Sequence, residues 1–251
     1  DRVVLRNQVD EEGNHVIDKI LPRSNYVARK STNLSKEMQI LAANIDHLFV
    51  LVTLKDPTTH PLFVDRFLVA AESFRIPVSL LFNKVDLYSD MEEAQYEEWA
   101  QQYERIGYSC YRLQSNKASS ADFLKELMKG KQVMLGGNSG VGKSTVINAL
   151  DASVLLRTGS ISVAHQQGKH TTTFAEMHKL NFGAYVIDTP GIRSFGLVDL
   201  EKEHLGHYFP EIRAVMEACR FNNCLHLNEP GCAVRNALEA GQIAQQRYRN
   251  Y

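Results

Sequence analysis

Gly137-Asn138-Ser139-Gly140-Val141-Gly142-Lys143-Ser144-Thr145 is the stretch on which the fold turns. An apolar run, Gln132-Val133-Met134-Leu135, precedes it, and Val146-Ile147-Asn148-Ala149-Leu150 follows with helical spacing. Strand, glycine-rich turn and helix are the setting that a G-x-x-x-x-G-K-[ST] pattern requires. Gly137, Gly140 and Gly142 let the backbone turn tightly, so that N–H groups converge on phosphate oxygens. The following helix adds the positive end of its dipole. Lys143 is placed to reach the outer phosphates, and Ser144 to set its hydroxyl on Mg²⁺. An empty glycine-rich turn would not need all of these residues at once.

Outward from this stretch the chain alternates. Asp46 to Thr53, Val78 to Phe82, Ser109 to Leu113 and Ala184 to Ile187 are apolar runs of buried-strand type. Helical spacing fills Pro61 to Arg75, Glu92 to Ile106 and Ser120 to Met128, the last with its cap at Ser119 or Ser120. Thr171 to Phe182 reads as a further strand. Repeated βα units predict an α/β domain, a mostly parallel sheet covered by helices on both faces. This domain is expected over 36–197. Residues 1–35 read as β, with strands near Arg2–Arg6 and His15–Leu21 stopped by Pro22. Two or three strands cannot bury a core alone, so they are expected to be the last part of a β-barrel cut short. Residues 198–251 read as short helices and loops.

The chain has 251 residues, 44% hydrophobic and 23% charged, with a formal net charge of −1. That composition is ordinary for a soluble globular protein, and no apolar run is long enough for a membrane span. The start, Asp1-Arg2-Val3-Val4, has neither Met nor a signal pattern, which suggests a piece of a longer chain. Lys19, Arg23, Arg29, Lys30 and Lys36 form one acid-free basic stretch. Arg157, His165, Lys169 and His170 lie in another. Solvated loops explain both on composition alone.

A phosphate loop does not choose its base. Asn83-Lys84-Val85-Asp86 ends a predicted strand, and such an N-K-x-D puts a carboxylate opposite the ring N–H and amino group of guanine, donors that adenine lacks. Asp86 is the discriminating residue, Asn83 can hydrogen-bond the base edge and brace the glycine loop, and the Lys84 stem can cover the base. Ser115, after the next strand, is a further contact. Asp188-Thr189-Pro190-Gly191 offers Asp188 to Mg²⁺ and the Gly191 N–H to the terminal phosphate. Thr171 or Thr172, with Thr172 preferred, supplies a switch hydroxyl to Mg²⁺. Many G proteins place Gln after the D-x-x-G glycine to hold the attacking water. Ile192 stands there and can neither donate nor accept. His170 is the candidate substitute, since an imidazole positions or deprotonates water near neutral pH; a surface-loop histidine is the competing reading.

Cys219, Cys224, His226 and Cys232 make a Cys3His set with short spacings, suited to one structural zinc. Cys110, alone on a predicted strand, reads as a small buried apolar residue.

In an ordinary small G protein the phosphate loop comes first and N-K-x-D last. Here N-K-V-D precedes the other motifs, a circular permutation, which close chain termini permit. That order, with G-N-S-G-V-G-K-S (137–144), the late Gly168-Lys169-His170-Thr171-Thr172-Thr173, D-T-P-G and the Cys/His spacing, resembles the RsgA family (YjeQ/EngC type) of small-subunit-dependent bacterial GTPases. The resemblance implies an N-terminal OB-fold in 1–35, a permuted GTPase domain and a C-terminal zinc domain. It implies GTP/GDP, magnesium and one zinc. It also implies a cytoplasmic, monomeric protein that acts in late maturation of the small ribosomal subunit and its rRNA, and His170 as catalytic beside Lys143 and Thr172. Two readings compete. One is a zinc-dependent RNA- or protein-binding module with a mainly structural nucleotide site, which intact Lys143, Ser144 and Asp188 oppose. The other is an ATP-using kinase, which N-K-V-D opposes. Permutation also runs Asp188–Phe195 straight into the zinc domain, so the γ-phosphate signal is expected to reach that domain's orientation.

Overall fold

The computed structural model describes residues 1–9, 12–30, 38–154, 176–188 and 200–251. Five strands run parallel: β5 (His47–Val52), β6 (Val78–Asn83), β7 (Ser109–Leu113), β8 (Gln132–Gly136) and β10 (Tyr185–Asp188). Antiparallel β9 (Glu176–Lys179) closes one edge, in the order β7-β6-β5-β8-β10-β9. Strand periodicity divides the core in two. Leu48, Val50, Val52, Leu80 and Phe82 point to one face, under α1 (Pro61–Ser73) and α2 (Asp90–Arg105). Phe49, Leu51, Leu81 and Leu135 point to the other, under α3 (Ala118–Met128) and α4 (Lys143–Leu150). Helices on both faces explain why β6 is buried along its whole length.

The predicted elements hold, with shifted ends. α2 begins at Asp90, two residues before the expected Glu92, because Ser89 and Glu92 form a reciprocal capping box. α3 also begins early, capped by Lys117 instead of Ser119 or Ser120. The Ser120 hydroxyl accepts instead from the Gln114 N–H at 3.2 Å, bracing the preceding loop. Of the strand expected over 171–182, Glu176–Lys179 is present; Leu180 to Phe182 instead form the turn into β10, closed by the Gly183 N–H on the Leu180 carbonyl, and Thr171 to Ala175 lie outside the described residues. Cys110 is buried, and burial pushes its thiol up to about 12, as fits an inert core residue.

At the amino end, β1 (Val3–Val9) and β2 (His15–Ile20) form an antiparallel hairpin. A second hairpin joins β3 (Tyr26–Lys30) to β4 (Met38–Ala43), so residue 35 falls between paired strands. Val27 and Ala42 of this hairpin join the sheet's core. At the carboxyl end, a 3-10 segment over Lys202–Tyr208 leads into α5 (Pro210–Met216), α6 (Ala233–Glu239) and α7 (Gln245–Asn250). Their small core contains Phe209, Ile212, Val234 and Ile243, together with Val69 from α1. None of the described helices is long and apolar enough to cross a membrane.

Candidate functional site

All the nucleotide motifs among the described residues lie at the carboxyl ends of the parallel strands, where open α/β sheets bind ligands. β8 runs into Gly137, which has φ +139°. A Cβ there would stand 2.8 Å from the Leu51 carbonyl oxygen, so the close approach of loop and strand requires glycine. Gly142, at φ +101°, would drive a Cβ to 2.5 Å from Asn83 Nδ2. Lys143 opens α4 and folds back across the loop, its ammonium donating to the carbonyls of Gly137 and Asn138 at 2.7 Å each. Ser144 and Thr145 follow in the first turn, Ser144 half-buried and Thr145 exposed. Ser139 and Gly140 are exposed at the loop's tip, Asn138 is half-buried, and Val141 is buried beneath them.

Asn83 ends β6 and is fully buried. Its side-chain amide donates to the Val141 carbonyl at 2.8 Å, and its oxygen accepts from the Ser115 N–H at 3.2 Å. One side chain thus ties the guanine motif, the phosphate loop and the Ser115 loop together. A buried amide left unpaired would cost about 1–3 kcal/mol, so the three loops hold one mutual spacing. The brace expected of Asn83 is present and extends to the Ser115 loop. Lys84 adopts a left-handed conformation, φ +63°, and donates its ammonium to the Asp56 carbonyl. Val85 to Leu87 make one 3-10 turn, with Val85 half-buried, which presents Asp86 at the exposed surface.

β10 pairs with β8 through Ile187 and Met134, so residue 188 ends β10 beside the strand that enters the glycine loop. His170, Thr171, Thr172, Gly191 and Ile192 lie outside the described residues.

The second cluster has the chemistry of a candidate metal centre. The ligand atoms of Cys219, Cys224, His226 and Cys232 all lie within 4.8 Å of one another. Cys219 Sγ and Cys232 Sγ are 3.5 and 3.6 Å from His226 Nδ1 and 4.0 Å from each other. A tetrahedron with ordinary zinc bonds has S–N edges of about 3.6 Å and S–S edges of about 3.8 Å. Burial lowers the His226 pKa, keeping the ring neutral as a ligand must be. Burial also pushes the Cys224 thiol up to about 12, so crowded thiolates there need a cation. Backbone N–H groups of Ala233 and Arg235 point at Cys219 and Cys232 sulfurs at 3.3 and 3.4 Å, the outer support that ligating thiolates use. Glu229 accepts from the N–H groups of Leu225, Leu227 and Asn228, which closes the loop carrying His226. The set is compatible with zinc.

The sequence of motifs across this sheet has counterparts. The family model of the RsgA GTPase matches residues 20–198. This chain belongs to the RsgA GTPase family. A relative in Christiangramia forsetii, "Small ribosomal subunit biogenesis GTPase RsgA", is 49% identical over 241 residues, 96% of this chain and 76% of its own length. One of the same name in Flavobacterium psychrophilum is 47% identical over 253 residues, 99% of this chain and 77% of its own. The solved structure of YjeQ from Thermotoga maritima superposes with a TM-score of 0.79 at 36% identity, over 96% of this chain and 78% of that one. YloQ, described as a circularly permuted GTPase, gives 0.76 at 30% identity, over 99% of this chain and 76% of that one. As an RsgA-family GTPase the chain uses guanine nucleotide, and its permuted order is that of its structural relatives.

Sequence reading missed two structural parts of the site. The loop 53–60 walls it, and a buried ion network reaches α1 from the carboxyl end. Neither has a motif, because each depends on partners far apart in the chain.

Proposed function

We propose that this protein is a GTP-hydrolysing switch that docks on the small ribosomal subunit and its rRNA and acts late in subunit maturation, with the subunit stimulating hydrolysis. The observation that carries this reading is the Asn83 latch: one buried amide joins a phosphate loop to a guanine-reading motif. The base sits against Asn83, Lys84, Val85, Asp86 and Ser115, and the phosphates within 137–145. Ser144, Thr172 and Asp188 hold magnesium, which neutralises charge across the outer phosphates. Lys143 supports the same charge from the loop side. The Gly191 N–H reads the terminal phosphate. His170 orients the attacking water, the task that Ile192 cannot do. Zinc at Cys219, Cys224, His226 and Cys232 is structural, because four protein ligands leave no open position. The β1–β2 hairpin belongs to an OB-type barrel, the β3–β4 hairpin through residue 197 to the GTPase domain and 198–251 to the zinc domain. The protein is a cytoplasmic monomer between visits to the subunit.

GTP turnover with and without purified small subunits tests this reading. The expected result is slow turnover alone and a large rise with subunits. Lys143→Ala should abolish both. His170→Ala should lower the stimulated rate by about 100-fold or more, the usual share of a general base. Turnover that ignores the subunit would overturn the docking reading; turnover that survives Lys143→Ala would overturn the site.

A further inference from the structure

The carboxyl-terminal helices grip the nucleotide domain along one stripe of α1. Asp65, Val69 and Glu72 stand at i, i+4 and i+7, one face of that helix. Val64, Phe67, Leu68 and Ala71 face the sheet. Arg247 of α7 is 1% exposed and donates Nη1 to Asp65 Oδ1 at 2.6 Å. Its Nε and Nη2 donate to Glu211 Oε1 and Oε2 of α5 at 2.6 and 3.2 Å. Asp65 also accepts from the Tyr103 hydroxyl at 2.8 Å and from the Asn250 amide. Val69 is buried in the carboxyl-terminal core, and Arg213 Nη1 reaches Glu72 Oε2 at 3.1 Å.

The loop entering α1 is closed by threonines. Thr53 N–H donates to Thr59 Oγ1 at 3.0 Å, Thr59 N–H to the Thr53 carbonyl at 2.7 Å, and the Thr53 hydroxyl to the Pro57 carbonyl at 2.5 Å. Thr58 donates to the Leu54 carbonyl at 3.2 Å. Thr53 and Thr59 are buried. This loop touches both halves of the nucleotide site. A Cβ on Gly140 would lie 3.5 Å from Pro57 Cδ, and the Asp56 carbonyl takes the Lys84 ammonium.

We propose that Asp65 is a positioning residue for guanine nucleotide. By anchoring α1 to Arg247 it fixes loop 53–60, and so the distance between the phosphate loop and the guanine motif. Asp65 is the fifth residue of α1, about 6 Å along the axis from its start, so movement of the seam reaches the loop within little more than one turn. The loop abuts the phosphate loop and Lys84. GDP and GTP therefore lose affinity alike, and KM rises while kcat holds, the pattern of lost uniform binding.

The inference rests on the nucleotide site proposed above, which Lys143→Ala tests separately. Its own test compares Asp65→Ala with Glu211→Ala. Each removes one carboxylate from buried Arg247, but only the first severs α7 from α1. For Asp65→Ala, GDP and a non-hydrolysable GTP analogue should both bind about three- to tenfold more weakly, the usual span of coupling through packed networks. Amide exchange over 53–60 should quicken. Glu211→Ala should keep the wild-type Kd, with faster exchange confined to α5 and α7. If Asp65→Ala does not fold, Asn250→Ala removes one donor from Asp65 and should give a smaller shift, about twofold, of the same kind. Wild-type affinity together with unchanged exchange over 53–60 in the folded variant would overturn the proposal. So would an equal loss of affinity in Asp65→Ala and Glu211→Ala.

Discussion

The β1–β2 hairpin at the amino end and the helical unit at the carboxyl end flank the same sheet. In the hairpin's strands every residue is exposed, Ile17 by 54% and Ile20 by 60%. Its ion pair, Arg6 with Asp18, lies in solvent. In the carboxyl-terminal unit the order is reversed: Arg247 is buried, bonded to Asp65 and Glu211, and stacked 4.6 Å from the Phe209 ring centroid. An exposed pair contributes about 0–1 kcal/mol, whereas stripping one partner from a buried pair costs about 3–5 kcal/mol. Among the described residues the hairpin's strands are exposed throughout, whereas the carboxyl-terminal unit is fixed to α1. For a nucleotide signal this matters. A unit locked to α1 is held in one orientation against the nucleotide domain, which opposes the reorientation expected through Asp188–Phe195. Distance labels between α2 and α6 in GDP and in a GTP analogue decide between that reorientation and a rigid seam. An unchanged distance favours the rigid seam.

Metal removal is the strongest way to break the comparison. Structural zinc contributes apparent binding of about 10–16 kcal/mol near neutral pH. Chelation, or Cys232→Ser, should therefore melt residues 200–251 and expose Val69, with the hairpin amides unchanged. Hydrogen exchange followed by peptide reads both. Protection that survives chelation would mean that the helices fold without metal. Next in size, Arg247→Met leaves Asp65 and Glu211 buried without their cation. Urea unfolding should show a loss of about 3–5 kcal/mol. Val69→Ala deletes two methyl carbons from the shared core and should cost about 1–2 kcal/mol. The smallest effects belong to the hairpin. Ile17→Ser and Arg6→Ala should each stay within about 0.5 kcal/mol of wild type. A loss above about 1.5 kcal/mol from Ile17→Ser would show that the hairpin packs on something and that the two flanks are more alike than their burial.

Residue by residue, legibility followed the reach of each constraint. Gly137 and Gly142 announced the phosphate loop because their backbone needs φ values of +139° and +101° and leaves no room for a side chain. Alternation of Leu48, Val50 and Val52 against Phe49 and Leu51 announced a strand buried on both faces. The clustering of Cys219, Cys224, His226 and Cys232 was legible because their spacing is short. The cap of α3 was not: Ser119 and Ser120 have the right chemistry, but Ser120 is held by the Gln114 N–H. Arg247 was not legible either. Gln245-Gln246-Arg247-Tyr248-Arg249 reads as a solvated helix, and nothing local distinguishes Arg247 from Arg249. Its partner Asp65 is 182 residues away.

By itself the sequence determined the chemistry and its order: phosphate loop, guanine motif, metal ligands and a permuted arrangement. Each of these is a demand made over a few residues, by backbone torsion, strand period or ligand spacing, so residue types record it directly. Only the tertiary structure decided that the Asn83 brace also takes in the Ser115 loop, that threonines close loop 53–60 against Gly140 and Lys84, and that Asp65 anchors the carboxyl-terminal unit. The physical reason is desolvation. A buried polar group is stable only beside its partners, and which groups are buried together is settled when distant segments pack.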